Sequence, residues 1–161
     1  MGIEHDWQAH LAAAGLAAPA LLGREASFDI WQQLIRHQLE VVHGFASEER
    51  EYLILRERQS GPPPLSGRNL DIFERFLCGV GRKVISYEFE LSQSAIAQLL
   101  KAALVDMGLD CSPARIPSLL VVLAHAARGT PMHSELNIGE FELENARYRV
   151  LSVSFDEPVL T

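Results

Sequence analysis

The sequence has few of the residues that build a disulfide-stapled or metal-dependent fold. Its 161 residues include only two cysteines, Cys78 and Cys111, and neither has a histidine or cysteine at ligand spacing. Secreted disulfide scaffolds are dense in cysteine, so two isolated thiols favour a reducing compartment. A chain of this length also buries enough surface to fold without such staples.

Basic charge is also scarce. Lys and Arg together number 14 against 21 Asp and Glu, which gives a formal net charge of -7. Nucleic-acid binders neutralise phosphates with a basic face, so this balance argues against a nucleic-acid partner. An acidic surface suits solubility or docking onto a protein. Only Lys83 and Lys101 are lysines, and a composition rich in Arg, Ala and Leu is typical of a GC-rich bacterial genome.

No apolar run is long enough to cross a bilayer. The stretch from Leu11 to Leu22 is broken by Gly15 and Pro19 and is too short for a membrane span. The first six residues carry acids where a secretory signal carries basic residues. We therefore expect a cytoplasmic protein with no membrane partner. Length and composition indicate a single globular domain over residues 1–161.

Hydrophobic periodicity predicts an α+β fold with about six helices. A first short helix is expected over residues 4–14. A long amphipathic helix is predicted from Ser27, because apolar residues recur at helical spacing as far as Phe45. A charged helix is predicted over residues 47–58, where Ser47 is the expected cap. Residues 59–68 contain three consecutive prolines and are predicted to form an exposed loop or hinge.

Three further helices are predicted in the second half of the chain. One starts at Asn69 or Asp71 and is ended by Gly79. The next is capped by Ser92 and closed by Gly108. The last starts near Pro113 or Pro117 and ends at Ala127. It is apolar nearly all round, so it is expected to be the central buried helix.

A small antiparallel sheet of roughly three strands is predicted to complete the fold. Apolar and polar residues alternate over residues 84–91, as in a half-buried strand. A hairpin is predicted over residues 140–155, with its turn near Asn145, because Asn tolerates the left-handed conformation. The strand over Val150–Phe155 could expose an edge to a partner strand, although a covered or paired edge is the favoured alternative.

The best metal candidate is the His37, Glu40 and His43 series. At helical spacing these three side chains would share an arc of about 120°. Carboxylate-bridged bundles need a second copy of such a motif, and the sequence supplies none. A solvated helix face is the competing interpretation, and no cofactor is expected.

A possible anion site is formed by Gly79, Gly81, Arg82 and Lys83. Glycine-rich loops can present N–H groups to an anion, and the two cations would add charge. The predicted order is helix, loop and strand, whereas phosphate loops precede a helix. Helix termination followed by a turn explains both glycines without a ligand.

Three residues are candidates for catalysis. His133 and Glu135 lie in a polar loop before the hairpin, but neighbours in an extended chain point in opposite directions and do not form a triad. His125 lies on the buried helix and is expected to hydrogen bond to a backbone carbonyl. No nucleophile elbow is present.

Two features suggest protein binding. Pro62, Pro63 and Pro64 could dock in an aromatic groove, although a stiff spacer is the favoured interpretation. Glu49 and Arg56 belong to the predicted charged helix, which suits an electrostatic interface or an ordinary surface.

Two functional hypotheses follow. The first is a small acidic bacterial protein that binds another protein, as a regulator, a chaperone or adaptor, or an immunity-type inhibitor. The second is an enzyme, small-ligand binder or metalloprotein whose site forms only in three dimensions. A homo-oligomer is compatible with both.

Overall fold

The structure is a computed structural model that describes residues 20–21, 23–46, 50–129 and 136–154. This part of the chain is α+β, with five α-helices and an antiparallel sheet. The helices are α1 (Arg24–Ile35), α2 (Gly67–Leu77), α3 (Arg82–Phe89), α4 (Gln93–Asp106) and α5 (Ser118–Ala127), with a 3₁₀ turn at Pro113–Arg115. The strands are β1 (Ala20–Leu21), β2 (Leu39–Ala46), β3 (Arg50–Glu57), β4 (Leu136–Leu143) and β5 (Ala146–Ser154).

The sheet has the strand order β1-β4-β5-β3-β2, and all neighbours are antiparallel. The predicted hairpin is confirmed as β4 and β5. Its two turn residues, Glu144 and Asn145, have φ of 52° and 66°. These angles are those of a type I′ turn, which matches the natural twist of a hairpin. The strand β5 is paired on both sides, by β3 and by β4, so the covered edge favoured for Val150–Phe155 is found for the described residues of that strand.

Helices α1 and α5 pack against each other, and both also contact the sheet. The main core contains residues from every helix and from the strands β2, β3, β4 and β5. In β3 the three consecutive residues Leu53, Ile54 and Leu55 are all buried. Leu53 and Leu55 join the main core, whereas Ile54 joins a second cluster with Tyr148 and Val150. A strand covered on both faces shows no alternation of apolar and polar residues.

The edge strand β2 is covered where it meets the end of α4. The Val41 amide donates a 2.7 Å hydrogen bond to the Met107 carbonyl. Gly108 has φ of +95°, and a Cβ at this position would lie 2.2 Å from the Val41 carbonyl oxygen. Only glycine meets both conditions. The predicted stop at Gly108 is thus confirmed, and it also lets the backbone approach the sheet.

Three of the predicted elements are wrong. The long helix over residues 28–45 ends at Ile35, and its second half is β2. The charged helix over residues 47–58 is the strand β3 from Arg50 onward. The strand over residues 84–91 is the helix α3. In each case the local sequence pattern fits one type of secondary structure, but pairing or packing with distant residues stabilises the other type.

The remaining helices agree with the sequence. Helix α4 is capped by the Ser92 hydroxyl, which accepts a 3.0 Å hydrogen bond from the Ala95 amide. Helix α5 starts after Pro117, and five of its ten residues are buried. The helix predicted over residues 4–14 lies outside the described residues. Within the described part of the chain, no helix is long and apolar enough to cross a membrane.

Candidate binding surface on helix α3

Two of the predicted sites, His125 and the loop that begins at Gly79, lie near each other in the fold. His125 lies in the last turn of α5, and its Nε2 is 3.2 Å from the Leu77 carbonyl oxygen. A carbonyl only accepts, so Nε2 carries the proton. This is the backbone partner that the sequence predicted for His125. Arg128 continues the contact, with Nη1 3.2 Å from the Cys78 sulfur.

The glycine loop joins two helices. Gly79 has φ of +93° and follows the end of α2, and Gly81 is the N-cap of α3. The predicted helix–loop–strand order is therefore wrong, because α3 begins at Arg82. No side chain caps its N terminus, so its first amides keep the partial positive charge of a helix start.

The metal hypothesis loses its geometric basis. His37 is in the turn between α1 and β2 with φ of 59°, while Glu40 and His43 lie on β2. The three side chains therefore do not share a helix face. Among the described residues, no group of three or more His, Cys, Asp or Glu side chains is arranged to hold a metal ion.

His37 instead contacts the proline loop. Its Nδ1 is 2.7 Å from the Pro63 carbonyl oxygen and 3.3 Å from that of Pro62, so Nδ1 is the protonated ring nitrogen. The side chain is buried. Pro63 and Pro64 are exposed, and Pro62 is half-buried. The loop that joins β3 to α2 is thus tied to the body of the protein through His37, and also through the Leu65 amide, which donates a 2.7 Å hydrogen bond to the Ile35 carbonyl.

Glu40 and Arg56 form an ion-pair cluster with Arg58 on the sheet. Glu40 accepts hydrogen bonds from Arg56 and from Arg58, the latter at 3.0 Å. Partial burial raises the pKa of Glu40, but the two guanidinium groups outweigh it, and the net pKa is lowered. Arg56 therefore lies on β3 in an internal ion pair, not on an exposed helix. Glu49 lies outside the described residues, as do His133 and Glu135.

The cysteines do not form a catalytic centre with these groups. Partial burial raises the pKa of the Cys111 thiol more than the charge of Lys101 lowers it. A thiol with a raised pKa is a poorer nucleophile, because less of it is thiolate. Cys78 is half-buried and contacts Arg128.

Helix α3 carries the most exposed apolar side chains in the described part of the protein. Four large hydrophobic side chains are exposed among the described residues, and two of them lie on α3. Tyr87 is 88% exposed and Val84 is 51% exposed. The other two, Phe28 and Val105, lie singly on α1 and α4. Scattered exposed apolar residues are ordinary, whereas two on adjacent turns of one short helix form a patch.

The opposite side of α3 fixes the helix in place. Ile85 is fully buried, and Phe89 packs on the core beneath the Arg75 guanidinium, which lies 5.3 Å from its ring centre. Arg75 also pairs with Glu88 and, at 3.4 Å, with Asp71. The exposed patch is therefore presented by an anchored helix.

Sequence reasoning missed Tyr87 and Val84 because it placed them on opposite faces of a strand. At a helical 100° per residue, Lys83, Val84 and Tyr87 fall within an arc of about 100°, and Ile85 lies on the other side. The pair of glycines before Arg82 was the available signal, since Gly81 is a plausible start for a helix. We call Lys83, Val84 and Tyr87, together with Arg82 at the N-terminal end of the helix, the α3 surface. Arg82 projects about 160° away from Val84, so it belongs to this surface only through its exposed position in the first turn.

A groove lies at another place, between the start of α1 and the end of α5. It has a volume of about 560 Å³, and its described lining consists of Glu25, Phe28, Asp29 and Ala127. This volume falls in the range of small-ligand pockets. The two carboxylates are one helical turn apart.

Comparisons with protein-family models, with curated proteins and with solved structures found no match to this chain. The α3 surface and the groove are the two candidate sites in the described part of the chain. Of the two, the α3 surface has more apolar area exposed to solvent, and its helix is held by buried and ion-paired contacts.

Proposed function

We propose that this protein acts by binding another protein, and that the α3 surface is its contact site. The carrying observation is the 88% exposure of Tyr87 on a helix whose opposite side is buried. A large apolar ring held in water gains free energy when a partner covers it. Tyrosine is also among the residues that dominate binding energy at protein interfaces.

Anchoring strengthens this proposal. A binding residue on a rigid helix loses less conformational entropy on association than one on a mobile loop. Ile85 and the Arg75–Glu88 pair hold α3 before any partner arrives. In the cytoplasm of a bacterial cell, such a protein would serve as a regulator, a chaperone or adaptor, or an immunity-type inhibitor.

The test is a pull-down of the tagged full chain from lysate of its native host. We expect one protein to co-elute at stoichiometric yield with the wild type and with Val105→Ala, and to be lost with Tyr87→Ala. Val105 is the matched control, because it is an exposed apolar residue on the neighbouring helix. If the wild type captures no stoichiometric protein, the binding function is wrong. If Tyr87→Ala retains the partner, the contact site is wrong.

The groove supports a second candidate, a small-ligand binder or an enzyme. Glu25 and Asp29 would attract a cationic group, and Phe28 would cover an apolar one. A thermal-shift screen of small amines tests this function. A shift that is present in the wild type and absent from Asp29→Asn would support it, and no shift with any amine would count against it.

A further inference from the structure

We propose that the α3 surface recognises an acidic segment of its protein partner; this rests on the proposed binding function. The charge of the surface is opposite to that of the whole chain. Arg82 and Lys83 are consecutive and exposed, and neither forms an ion pair with a described carboxylate. The formal net charge of the protein is -7.

Two cations of the helices that flank α3 are already neutralised, and Arg82 and Lys83 are the cations of α3 itself. Arg75 is paired with Glu88 and Asp71. Lys101, the other lysine of the chain, is paired with Asp110 at 3.2 Å. Exposed cations that have no ion-pair partner among the described residues, next to exposed apolar side chains, are available to a protein partner.

The start of α3 adds to the positive potential. Gly81 provides no side-chain acceptor, so the first amides of the helix point outward without a capping group. The partial charge of a helix N terminus has the same sign as Arg82 and Lys83. The three contributions act on the same end of the helix, whereas Glu90 occupies the other end.

This polarity defines the partner motif. Carboxylates would lie over Arg82, Lys83 and the first amides, and an apolar side chain would lie over Val84 and Tyr87. Lys83 and Tyr87 are four residues apart, so they are neighbours on the helix surface. The motif is therefore a short segment with one or more acidic residues followed or preceded by an apolar residue about one helical turn away.

Other polyanions and a second copy of the chain fit less well. Two unpaired cations would neutralise only about two phosphates, which is a small footprint for nucleic acid. The acidic remainder of the protein repels a long polyanion and also repels another copy of itself. A short acidic segment interacts mainly with the charges next to it and less with the net charge of the protein, because salt screens electrostatic interactions beyond about 8–10 Å.

The test is site-specific photo-crosslinking of the full chain in its native host. The variant Tyr87→p-benzoylphenylalanine keeps a large aromatic group at the surface and crosslinks whatever covers it. We expect the crosslinked peptide to come from a different protein and to carry a net negative charge. The same crosslinker in Val105→p-benzoylphenylalanine should not yield that peptide.

Charge reversal provides the second arm. Adding Arg82→Glu and Lys83→Glu to the crosslinking variant should lower the yield at least about tenfold, since like charges would then face each other. The matched control carries Arg36→Glu and Arg115→Glu, two exposed cations without ion pairs to described carboxylates. It changes the net charge equally and should retain the crosslink. Superimposable melting curves verify that all variants are folded.

Several outcomes would overturn the inference: a neutral or basic peptide, a peptide of this same chain, a nucleic-acid adduct, or a crosslink that survives charge reversal. If a stoichiometric partner is pulled down but one of these is found, binding stands and only the acidic-segment inference fails. If neither experiment detects a protein, both proposals fail.

Discussion

Helices α5 and α3 are of similar length but have very different surroundings. Helix α5 has ten residues, contacts α1, α2 and the sheet, and buries five side chains. Helix α3 has eight residues, packs mainly on α2 and α4, and buries only Ile85. Packing in the core therefore explains why most side chains of α5 are apolar. It leaves the outer side chains of α3 unexplained, which is why that helix is the better candidate for binding.

The largest expected effect tests the α5 side of this comparison. Leu120→Asp should abolish folding, because it places an unpaired charge in a fully buried position. Circular dichroism and solubility would show the loss. Val105→Asp is the control and should fold normally, since Val105 is 48% exposed. A cooperatively unfolding Leu120→Asp variant would show that α5 is not central.

The next effect separates the two sides of α3. Ile85→Ala should lower the free energy of unfolding by about 2–5 kcal/mol, because it removes a fully buried side chain. Tyr87→Ala, two residues away, should change it by less than about 0.5 kcal/mol. Urea denaturation measures both. Equal destabilisation by the two changes would mean that Tyr87 packs on the protein and is not free for a partner.

A smaller effect concerns the support of α3 by α4. Ser92→Ala removes the 3.0 Å cap on the Ala95 amide and should cost about 1 kcal/mol of stability. Ser94→Ala, in the first turn of the same helix but outside the cap, should cost less than about 0.5 kcal/mol. Denaturation midpoints decide between them. Identical midpoints would show that the cap does not stabilise this corner.

The smallest effect contrasts the paired cations of the sheet with the unpaired ones of α3. The pKa of Glu40 is lower in the folded protein than in the unfolded chain, so ionised Glu40 stabilises the fold. This stabilisation is fully present above the pKa of the unfolded state, and it is lost as the pH falls through the pKa of the folded state. Arg56 is 43% exposed, so solvent screening keeps the contribution below about 1 kcal/mol.

Unfolding of the wild type and Glu40→Gln should therefore differ near pH 7 and converge in acid, where Glu40 is protonated. Glu142→Gln, at an exposed position, is the control for general acid effects and should parallel the wild type. Arg82→Gln and Lys83→Gln should leave stability unchanged at both pH values. A wild-type–Glu40→Gln difference that grows in acid would contradict the assigned direction of the pKa shift.

Part of the candidate site was accessible from the sequence. Gly79, Gly81, Arg82 and Lys83 were identified as a possible anion site; Arg82 and Lys83 belong to the α3 surface, and the two glycines directly precede it. Tyr87 was missed because the eight-residue segment alternates apolar and polar residues like a strand. Only packing, which buries Ile85 and exposes both Val84 and Tyr87, distinguishes the two structures.

The sequence by itself determined the elements whose signals are local: the Ser92 cap, the stop at Gly108, the apolar run of α5 and the Asn145 turn. Caps, left-handed glycines and turns depend on a few neighbouring residues, so they can be predicted without the fold. Tertiary structure alone decided β2 and β3. Their apolar stripe and acidic start resemble helices, but pairing of β3 with both β2 and β5 satisfies backbone hydrogen bonds over a separation that no local pattern encodes.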